Sequence, residues 1–288
     1  MFYGFDVSQW NGNVNMKAAK NSGQNFVIIR SSFGNVAAYP QQVDLKFAEN
    51  VQNAKNAGLD FGVYHYTYAT DAYSAKAEAK GFVDLLNSVK PIPYFVALDI
   101  EDAVQAKLDN GTLQSIIKAF IDVVESAGYY CSLYSYEAFL KRLPSSFRDK
   151  YAIWCANIDY TPSIKYGVHQ YSFTGSVSGT SGAVDLDKSE IDYPAIIKRG
   201  GFNGFPKAEP TVLDTEGFKK GDKGLGVLAY KQLLLLAKKL GFVTGPVNND
   251  AGFGGGTENA TNELLERFGY VQNGIAGANL VKKLGGVL

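Results

Sequence analysis

The stretch VALDIED, residues 96–102, ends an apolar run with three carboxylates. The apolar part predicts a short buried strand. Side chains alternate along a strand, so Asp99 and Glu101 point to one side, whereas Leu98 and Ile100 point to the other. A core strand that delivers two carboxylates to one side is a candidate for acid–base chemistry. The elements around the end of this strand therefore decide the fold and the site.

Seven further runs of apolar, β-branched and aromatic residues predict strands in the first two thirds of the chain. With YFVALDI at 94–100, they are FYGFDVS at 2–8, FVIIRSS at 26–32, FGVYHYTY at 61–68, YYCSLYS at 129–135, YAIWCAN at 151–157, GVHQYSF at 167–173 and AVDLDKS at 183–189. Between the first five strands, apolar residues recur at helical spacing, as in 43–58, 75–86 and 112–128. Strands that alternate with helices predict a parallel sheet, and eight strands favour its closure into a barrel.

The connections between the last three strands are too short for the same scheme. About ten residues separate strands six, seven and eight, and the segment 173–183 is rich in Gly and Ser. A parallel crossover with its helix needs at least about 10–12 residues and usually more. We therefore expect an α/β fold: an irregular TIM-like barrel of five βα units plus three strands, some of them antiparallel.

The chain beyond residue 197 changes character. Residues 198–216 contain two prolines and three glycines without periodicity, which predicts a linker between a catalytic barrel domain, 1–197, and a second domain, 217–288. Three helices are expected in this small all-α domain, over 224–240, 257–268 and 279–284. Asp222 is the expected N-cap of the first of them.

Composition narrows the function classes. Lys and Arg together balance Asp and Glu at 28 each, so the net charge of zero argues against nucleic-acid binding driven by bulk charge. Cys131 and Cys155 lie in strand-like runs and are expected to be buried free thiols. With two Cys and only His65 and His169, neither a zinc site nor another cofactor is expected. No 18-residue apolar window and no signal peptide are found, which predicts a chain without a membrane span that is made in a cytoplasm.

Polar residues recur at the carboxyl ends of the predicted strands, the face of a barrel on which catalytic groups converge. They are Asp6, Arg30, Tyr64 or His65, Asp99, Glu101, Tyr134, Asn157, Gln170 and Asp185. Four carboxylates in one barrel mouth repel each other, so at least one should keep its proton near neutral pH, as glycoside hydrolysis requires. Three alternatives remain open at this point: a Mg²⁺ site, Asp6 as a helix cap, and an Asp185–Arg30 ion pair.

Seven motifs in this order resemble those of family 25 of the glycoside hydrolases, the lysozyme-type muramidases often found as bacteriophage endolysins. They are GFDVSQWNG at 4–12, IIRSSFG at 28–34, GVYHYTYA at 62–69, ALDIED at 97–102, LYSYEAFL at 133–140, IWCAN at 153–157 and HQYSFTGSVSGTSGAVDLD at 169–187. The resemblance covers about residues 3–190. It implies a barrel of five βα units plus three strands, in agreement with the connection lengths.

The resemblance also implies roles for the strand-end residues. Glu101 corresponds to the general acid and Asp99 to its partner, while Asp6 and Asp185 correspond to two further acids of the site. Asp187 stands where many members have Asn and competes with Asp185 for the fourth position. His169 replaces a usual Trp and removes one expected sugar contact. The candidate substrate-binding residues are Tyr64, Arg30, Tyr134, Trp154 and Gln170.

The C-terminal region resembles the three-helix peptidoglycan-binding domain of cell-wall hydrolases. FKKGDKGLGVLAYKQLLL at 218–235, NDAGFGGGTENAT at 249–261 and NGIAGANLVKKL at 273–284 carry this resemblance, although Asn273 replaces the usual Asp. The alternative for this domain is a module for homo-oligomerisation.

Together the two resemblances imply an endolysin-type N-acetylmuramidase that binds bacterial peptidoglycan. Its reaction would be hydrolysis of the β-1,4 bond between N-acetylmuramic acid and N-acetylglucosamine, and the family favours retention. The protein would stay in the cytoplasm of the host bacterium until its release to the cell wall. A catalytically silent glycan-binding protein and a chitinase-like glycosidase are the alternatives, but the latter would carry a longer acidic motif than Asp99-Ile-Glu101.

Overall fold

A computed structural model describes residues 1–207 and 211–288 of the chain. The chain forms two compact units, the barrel unit Met1–Lys207 and the tail unit Ala208–Leu288. Residues 208–210, which belong to the expected linker, lie outside the described residues.

Eight strands of the barrel unit close into one barrel in chain order. They are β1 (Phe2–Val7), β2 (Phe26–Phe33), β3 (Asp60–Tyr66), β4 (Val96–Asp99), β5 (Cys131–Tyr136), β6 (Ala152–Ala156), β7 (Val168–Gly175) and β8 (Val184–Ser189). Neighbouring strands from β1 to β7 pair in parallel, and β8 runs antiparallel to both β7 and β1. The closed α/β barrel predicted from the sequence is confirmed.

The helices of the barrel unit cover the outside of the strands. They are α1 (Met16–Asn21), α2 (Phe47–Ala57), α3 (Ala72–Val89), α4 (Ala103–Ala106), α5 (Asn110–Ser126), α6 (Glu137–Leu140), α7 (Ser145–Arg148) and α8 (Tyr193–Gly200). The structure describes all of 157–183, and this stretch contains no helix, so β6, β7 and β8 follow one another directly.

Alternation along the strands divides the barrel unit into two apolar clusters. Leu98 and Ile100 face outward and pack in the cluster that contains Phe82 of α3 and Phe120 of α5. A separate cluster inside the barrel contains Ala97 and the aromatic side chains of several strands. The predicted alternation in the VALDIED stretch is therefore correct.

The same alternation separates the two candidates on β3. Tyr64 belongs to the inner cluster. His65 faces outward and is completely buried, with its Nδ1 2.8 Å from Ser32 Oγ and its Nε2 3.1 Å from Glu78 Oε2. This Ser–His–Glu arrangement lies between the strands and the helices, where its Ser is also completely buried and has no access to a substrate.

The barrel unit extends further along the chain than the expected boundary at 197. Helix α8 ends at Gly200, and Asn203 behind it is completely buried with a left-handed backbone at φ 57°. Its Nδ2 donates to the carbonyls of Ile92 and Tyr94, and its Oδ1 accepts from Tyr130 N. Composition alone made this segment resemble a linker, because a buried Asn in a turn and an Asn in a mobile loop have the same sequence signal.

The tail unit contains the helices α9 (Leu225–Lys239), α10 (Gly255–Arg267) and α11 (Ala278–Gly285). Its apolar cluster includes Leu234, Leu264 and Leu280, one from each helix. The expected cap at Asp222 is wrong: Gly224 is the N-cap, and the Asp222 carboxylate accepts from Lys219 N instead.

Within the described residues, none of the helices is long and apolar enough to cross a membrane. The same part of the chain holds no group of three or more His, Cys, Asp or Glu side chains arranged for a metal ion.

Candidate active site

Five carboxyl groups meet at the mouth of the barrel. Asp6 of β1 and Asp185 of β8 lie opposite each other across an antiparallel pair, and Asp187 follows two residues later on the same side of β8. Asp99 ends β4, and Glu101 lies two residues beyond it. The electrostatic influence of Asp187, Asp185 and Asp99 on Asp6, and of Asp185 on Glu101, shows that these groups share one site.

Glu101 is the acid of this group that can hold a proton near neutral pH and still reach solvent. Burial, followed by the negative charges of Asp185 and Asp102, raises its pKa to about 7. Its side chain is only partly buried, whereas Asp6 and Asp99 are buried. A partly exposed carboxyl with this pKa has the properties of a general acid.

Asp99 lies deeper in the mouth than Glu101. Burial, with the neighbouring Glu101 charge, raises its pKa well above the usual value, and the Arg30 guanidinium opposes this shift. Asp99 Oδ1 is buried without a hydrogen-bond partner among the described residues. The hydrogen-bonding capacity of this oxygen is therefore unused within the described residues.

Arg30, the cation of the site, forms its ion pair with a carboxylate that the sequence analysis did not single out. Arg30 Nε lies 2.8 Å from Asp44 Oδ2, and no ion pair forms between Arg30 and Asp185 among the described residues. The Asp44 carboxylate also accepts from Gln9 N and Lys46 N, which anchors the connection after β2. The alternative in which Asp185 is merely the structural partner of Arg30 is therefore wrong.

Gln170 connects two other predicted site residues. Its Oε1 accepts a 2.7 Å hydrogen bond from Tyr134 Oη, and its Nε2 donates at 2.7 Å to Asp6 Oδ2. Ser8, and not Asp6, caps the short 3-10 turn that follows β1. The alternative in which Asp6 is only a helix cap is therefore also wrong.

The prediction that Trp154 lines the substrate groove is wrong. Its side chain is 1% exposed, and its ring lies inside the barrel against Tyr134 and Tyr64, with centroids 4.4 and 5.9 Å away. The indole Nε1 donates at 2.7 Å to Asp187 Oδ1. Alternation predicted only that Trp154 faces inward, and depth in the barrel excludes it from contact with a sugar. Tyr64 and Tyr134 are also mostly buried, at 9% and 6% exposed.

Asp185 and Asp187 differ in depth. Asp185 is partly exposed, and burial raises its pKa to about 6. Asp187 is completely buried below it, and burial raises its pKa to about 8, although the hydrogen bond from Trp154 opposes this shift. Of the two, Asp185 is the one that solvent reaches.

Residues near the rim complete the site. Asp102 caps α4 by accepting from Val104 N, and its Oδ2 accepts from the Tyr66 hydroxyl at 3.3 Å. Sequence reasoning missed Tyr66, although its position two residues after Tyr64 on the same strand was a usable signal.

His169 faces away from the mouth and contacts Asn157 O, and Asn157 Nδ2 donates to Glu137.

A closed α/β barrel that gathers carboxyl groups in its mouth, including the partly exposed Glu101 with a pKa of about 7, defines the class of acid–base glycosidases. The family model of glycosyl hydrolases family 25 matches residues 5–180, and the chain belongs to this family.

Individual relatives agree with this membership. The chain is 32% identical over 192 residues to the autolytic lysozyme of Clostridium acetobutylicum, a match that covers 64% of this chain and 55% of that protein. The CTP1L endolysin structure is similar with a TM-score of 0.58 and 28% identity, over 69% of this chain and 70% of that one. The autolysin LytC from Streptococcus pneumoniae, solved with a synthetic peptidoglycan ligand, gives a TM-score of 0.56 and 26% identity, over 65% and 46%. The chain spans about half the length of the curated relative.

Proposed function

We propose that this protein is an N-acetylmuramidase that hydrolyses the β-1,4 bond between N-acetylmuramic acid and N-acetylglucosamine in bacterial peptidoglycan. The observation that carries the proposal is Glu101, a partly exposed acid whose pKa is raised to about 7 in a mouth shared with four further carboxyls. The names of the relatives, an autolytic lysozyme and an endolysin, support peptidoglycan as the substrate.

In this reaction Glu101 protonates the glycosidic oxygen as the bond to the leaving sugar breaks. Positive charge then develops on the sugar that remains, and a nearby ionised carboxyl stabilises it. Asp99 is placed for that role: while Glu101 holds its proton, no Glu101 charge opposes ionisation of Asp99, and Arg30 favours it. Asp99 Oδ1 also has no partner within the described residues. Asp6 and Asp185 lie on the opposite side of the mouth. Gln170 donates to Asp6 and accepts from Tyr134, and these two hydrogen bonds fix the position of the Asp6 carboxyl.

Exposed aromatic side chains surround this end of the barrel, which supports a carbohydrate substrate. Large aromatic rings combine an apolar face with a polar edge, as sugars require. Those that are at least one third exposed and belong to β7, to the end of β5 or to a helix or loop that follows a strand are Trp10, Tyr39, Tyr68, Tyr73, Tyr136, Tyr160 and Phe173.

We further infer that the barrel is an irregular TIM-like barrel of five βα units plus three strands, and that the tail unit is a three-helix peptidoglycan-binding domain. The helices that follow the first five strands support the first inference, and the sequence resemblance of 218–284 supports the second. This function favours a location in the cytoplasm of the host bacterium until the protein is released to the cell wall. Self-association through the tail unit is the alternative role for that unit.

Digestion of purified peptidoglycan, followed by mass spectrometry of the reduced products, tests the activity. A muramidase leaves N-acetylmuramic acid at every new reducing end, whereas N-acetylglucosamine at that position would refute the proposed bond. Absence of cleavage by the folded chain would instead favour a silent glycan-binding protein.

Truncation separates the roles of the two units. A chain ending at Lys207 retains every carboxyl of the mouth and the buried Asn203, so it should cleave soluble glycan fragments at close to the rate of the full chain. On intact walls it should be weaker by up to ~10²-fold, since the tail would no longer concentrate the barrel at the substrate. If residues 211–288 alone stay in solution with peptidoglycan and self-associate, the tail unit is an assembly module.

A further inference from the structure

The carboxyl of Asp187 has an unusual environment for an acidic side chain. Its Cα lies opposite Gly4 of β1 and Gln170 of β7, and the residue is completely buried. Oδ1 accepts from Trp154 Nε1, whereas Oδ2 has no donor among the described residues. A buried carboxylate with one neutral donor is costly, because burial penalises the charged form unless a cation or further donors compensate.

No cation of the described part of the chain compensates for this burial. The ion pairs among the described residues include neither Asp187 nor Asp6. The titratable groups that face Asp187 are Asp6 from β1, Asp185 from its own strand, Tyr94 before β4 and Tyr171 of β7. All of them are neutral or negative, so none of these groups offers a positive charge to an ionised Asp187.

Asp6 is the one neighbour that can share a proton with Asp187. A hydrogen bond between the two carboxyls forms only if one of them is protonated. Burial and the charges of Asp187, Asp185 and Asp99 raise the pKa of Asp6 as well, so the pair holds one proton at neutral pH. Each carboxyl accepts from one neutral donor, Gln170 at Asp6 and Trp154 at Asp187, but Asp6 is 7% exposed at the mouth and Asp187 is 0% exposed. The charged form is penalised most at the fully buried position, which favours the proton on Asp187 and the negative charge on Asp6.

We propose that Asp187 is a positioning residue that holds one proton at the base of the site, donates it in a hydrogen bond to Asp6 through Oδ2, and accepts from Trp154 through Oδ1. Asp6 then remains an ionised carboxylate with two donors, Gln170 and Asp187. Loss of this proton adds a second charge at the base and removes one donor from Asp6. The raised pKa of Asp187, about 8, places that loss in the alkaline range.

Tryptophan fluorescence tests the proton without reference to activity. The chain has two tryptophans, Trp10, which is 80% exposed, and Trp154, which is 1% exposed and bonded to Asp187. In Trp10→Phe, the emission of Trp154 should titrate with a midpoint near pH 8, because a carboxylate and a carboxylic acid polarise the indole N–H differently. Adding Asp187→Asn should abolish this titration. An unchanged titration in the double variant, or flat emission between pH 6 and 9.5 in Trp10→Phe, would overturn the proposal.

Activity provides the second readout, and only this part rests on the proposed function. Asn at position 187 offers an acceptor to Trp154 and a donor to Asp6 at every pH, whereas Leu offers neither. At pH 6, Asp187→Leu should lose roughly tenfold or more in kcat/KM, the scale of one buried hydrogen bond, and Asp187→Asn should restore most of that loss.

Above pH 8, the activity of the parent protein should fall more steeply than the roughly tenfold per pH unit of a single ionisation, and that of Asp187→Asn only at the single-ionisation slope. Equal losses in the Asn and Leu variants at pH 6 would overturn the proposal, because the ionised carboxylate itself would then be required. If Asp187→Leu fails to fold by circular dichroism, the alkaline slope of Asp187→Asn decides alone. A parent protein that cleaves nothing refutes the proposed function and leaves the fluorescence test intact.

Discussion

Replacing Glu101 by Gln removes the proton of a partly exposed acid in the mouth and nearly keeps the size of the side chain. We expect kcat/KM on soluble glycan to fall by at least ~10²-fold, the usual scale for losing a general acid. This loss corresponds to about 2.7 kcal/mol of transition-state stabilisation, at 1.36 kcal/mol for each factor of ten. Folding should be unaffected, because Glu101 has no ion-pair partner among the described residues that the change would leave alone.

The pH dependence of activity provides a second, independent test of the role of Glu101. A general acid works only in its protonated form, and burial with the charges of Asp185 and Asp102 raises the pKa of Glu101 to about 7. The active fraction of the parent protein is therefore full well below pH 7 and falls about tenfold per pH unit above it. Between pH 6 and 8 the residual activity of Glu101→Gln should lack this decline.

Asp102→Asn is the matched control, one residue away. The Asp102 side chain caps α4 and accepts from Tyr66, so its loss should reduce activity only mildly. Because the Asp102 charge raises the pKa of Glu101, the variant should begin its alkaline decline at slightly lower pH. Release of reducing ends from soluble glycan between pH 5 and 9 measures both effects. Near-parent activity of Glu101→Gln, or equal losses at positions 101 and 102, would refute the assigned role.

Three further outcomes are expected. Asn203→Ala should lower the free energy of unfolding of the barrel unit, measured in urea, by about 3 kcal/mol, because it leaves buried backbone groups unpaired. Asn203→Gly should cost roughly 1 kcal/mol less, because Gly tolerates the left-handed backbone. Equal costs for the two variants would show that backbone strain is irrelevant. Lys231 is fully buried and donates to Asn248, Asp250 and Gly252 O, so Lys231→Met should lower the melting temperature of the isolated tail unit, as followed by circular dichroism. The pKa of Asp187 is raised in the folded state, so the unfolded chain releases this proton first and stability falls as pH rises from the usual Asp range to about 8. Asp187→Asn should flatten that fall in urea unfolding series, and an unchanged slope would contradict the assignment.

The local features of the fold, namely strand positions, side-chain alternation and connection lengths, were predictable from the sequence. Strand positions follow from short apolar runs, and alternation within VALDIED correctly placed Leu98 and Ile100 outside and Asp99 inside. Connection lengths also predicted that the last strands follow one another without helices. These features depend on neighbours within a few residues, which is the range over which periodicity is informative.

Partners that are distant in the chain were not predictable in the same way. Arg30 pairs with Asp44, and Trp154 donates to Asp187, 33 residues later. The depth of a side chain inside a barrel depends on closure of all eight strands, so sequence position could place Trp154 on the inner face but could not distinguish the buried layer from the mouth. Asn203 was hidden for the same reason, since its partners are more than 70 residues away.

The placement of Arg30 explains why the mouth keeps its protons. Had the guanidinium paired with one of the mouth acids, it would have stabilised the charged form and lowered the pKa of that acid. Instead Arg30 binds Asp44 in the connection after β2, and only its longer-range influence reaches Asp99. The remaining acids are left with neutral donors such as Gln170 and Trp154, which orient a carboxyl without neutralising it. Burial and mutual repulsion then keep protons in the mouth at neutral pH, and the acid that also meets solvent, Glu101, is the one that can deliver its proton to a sugar.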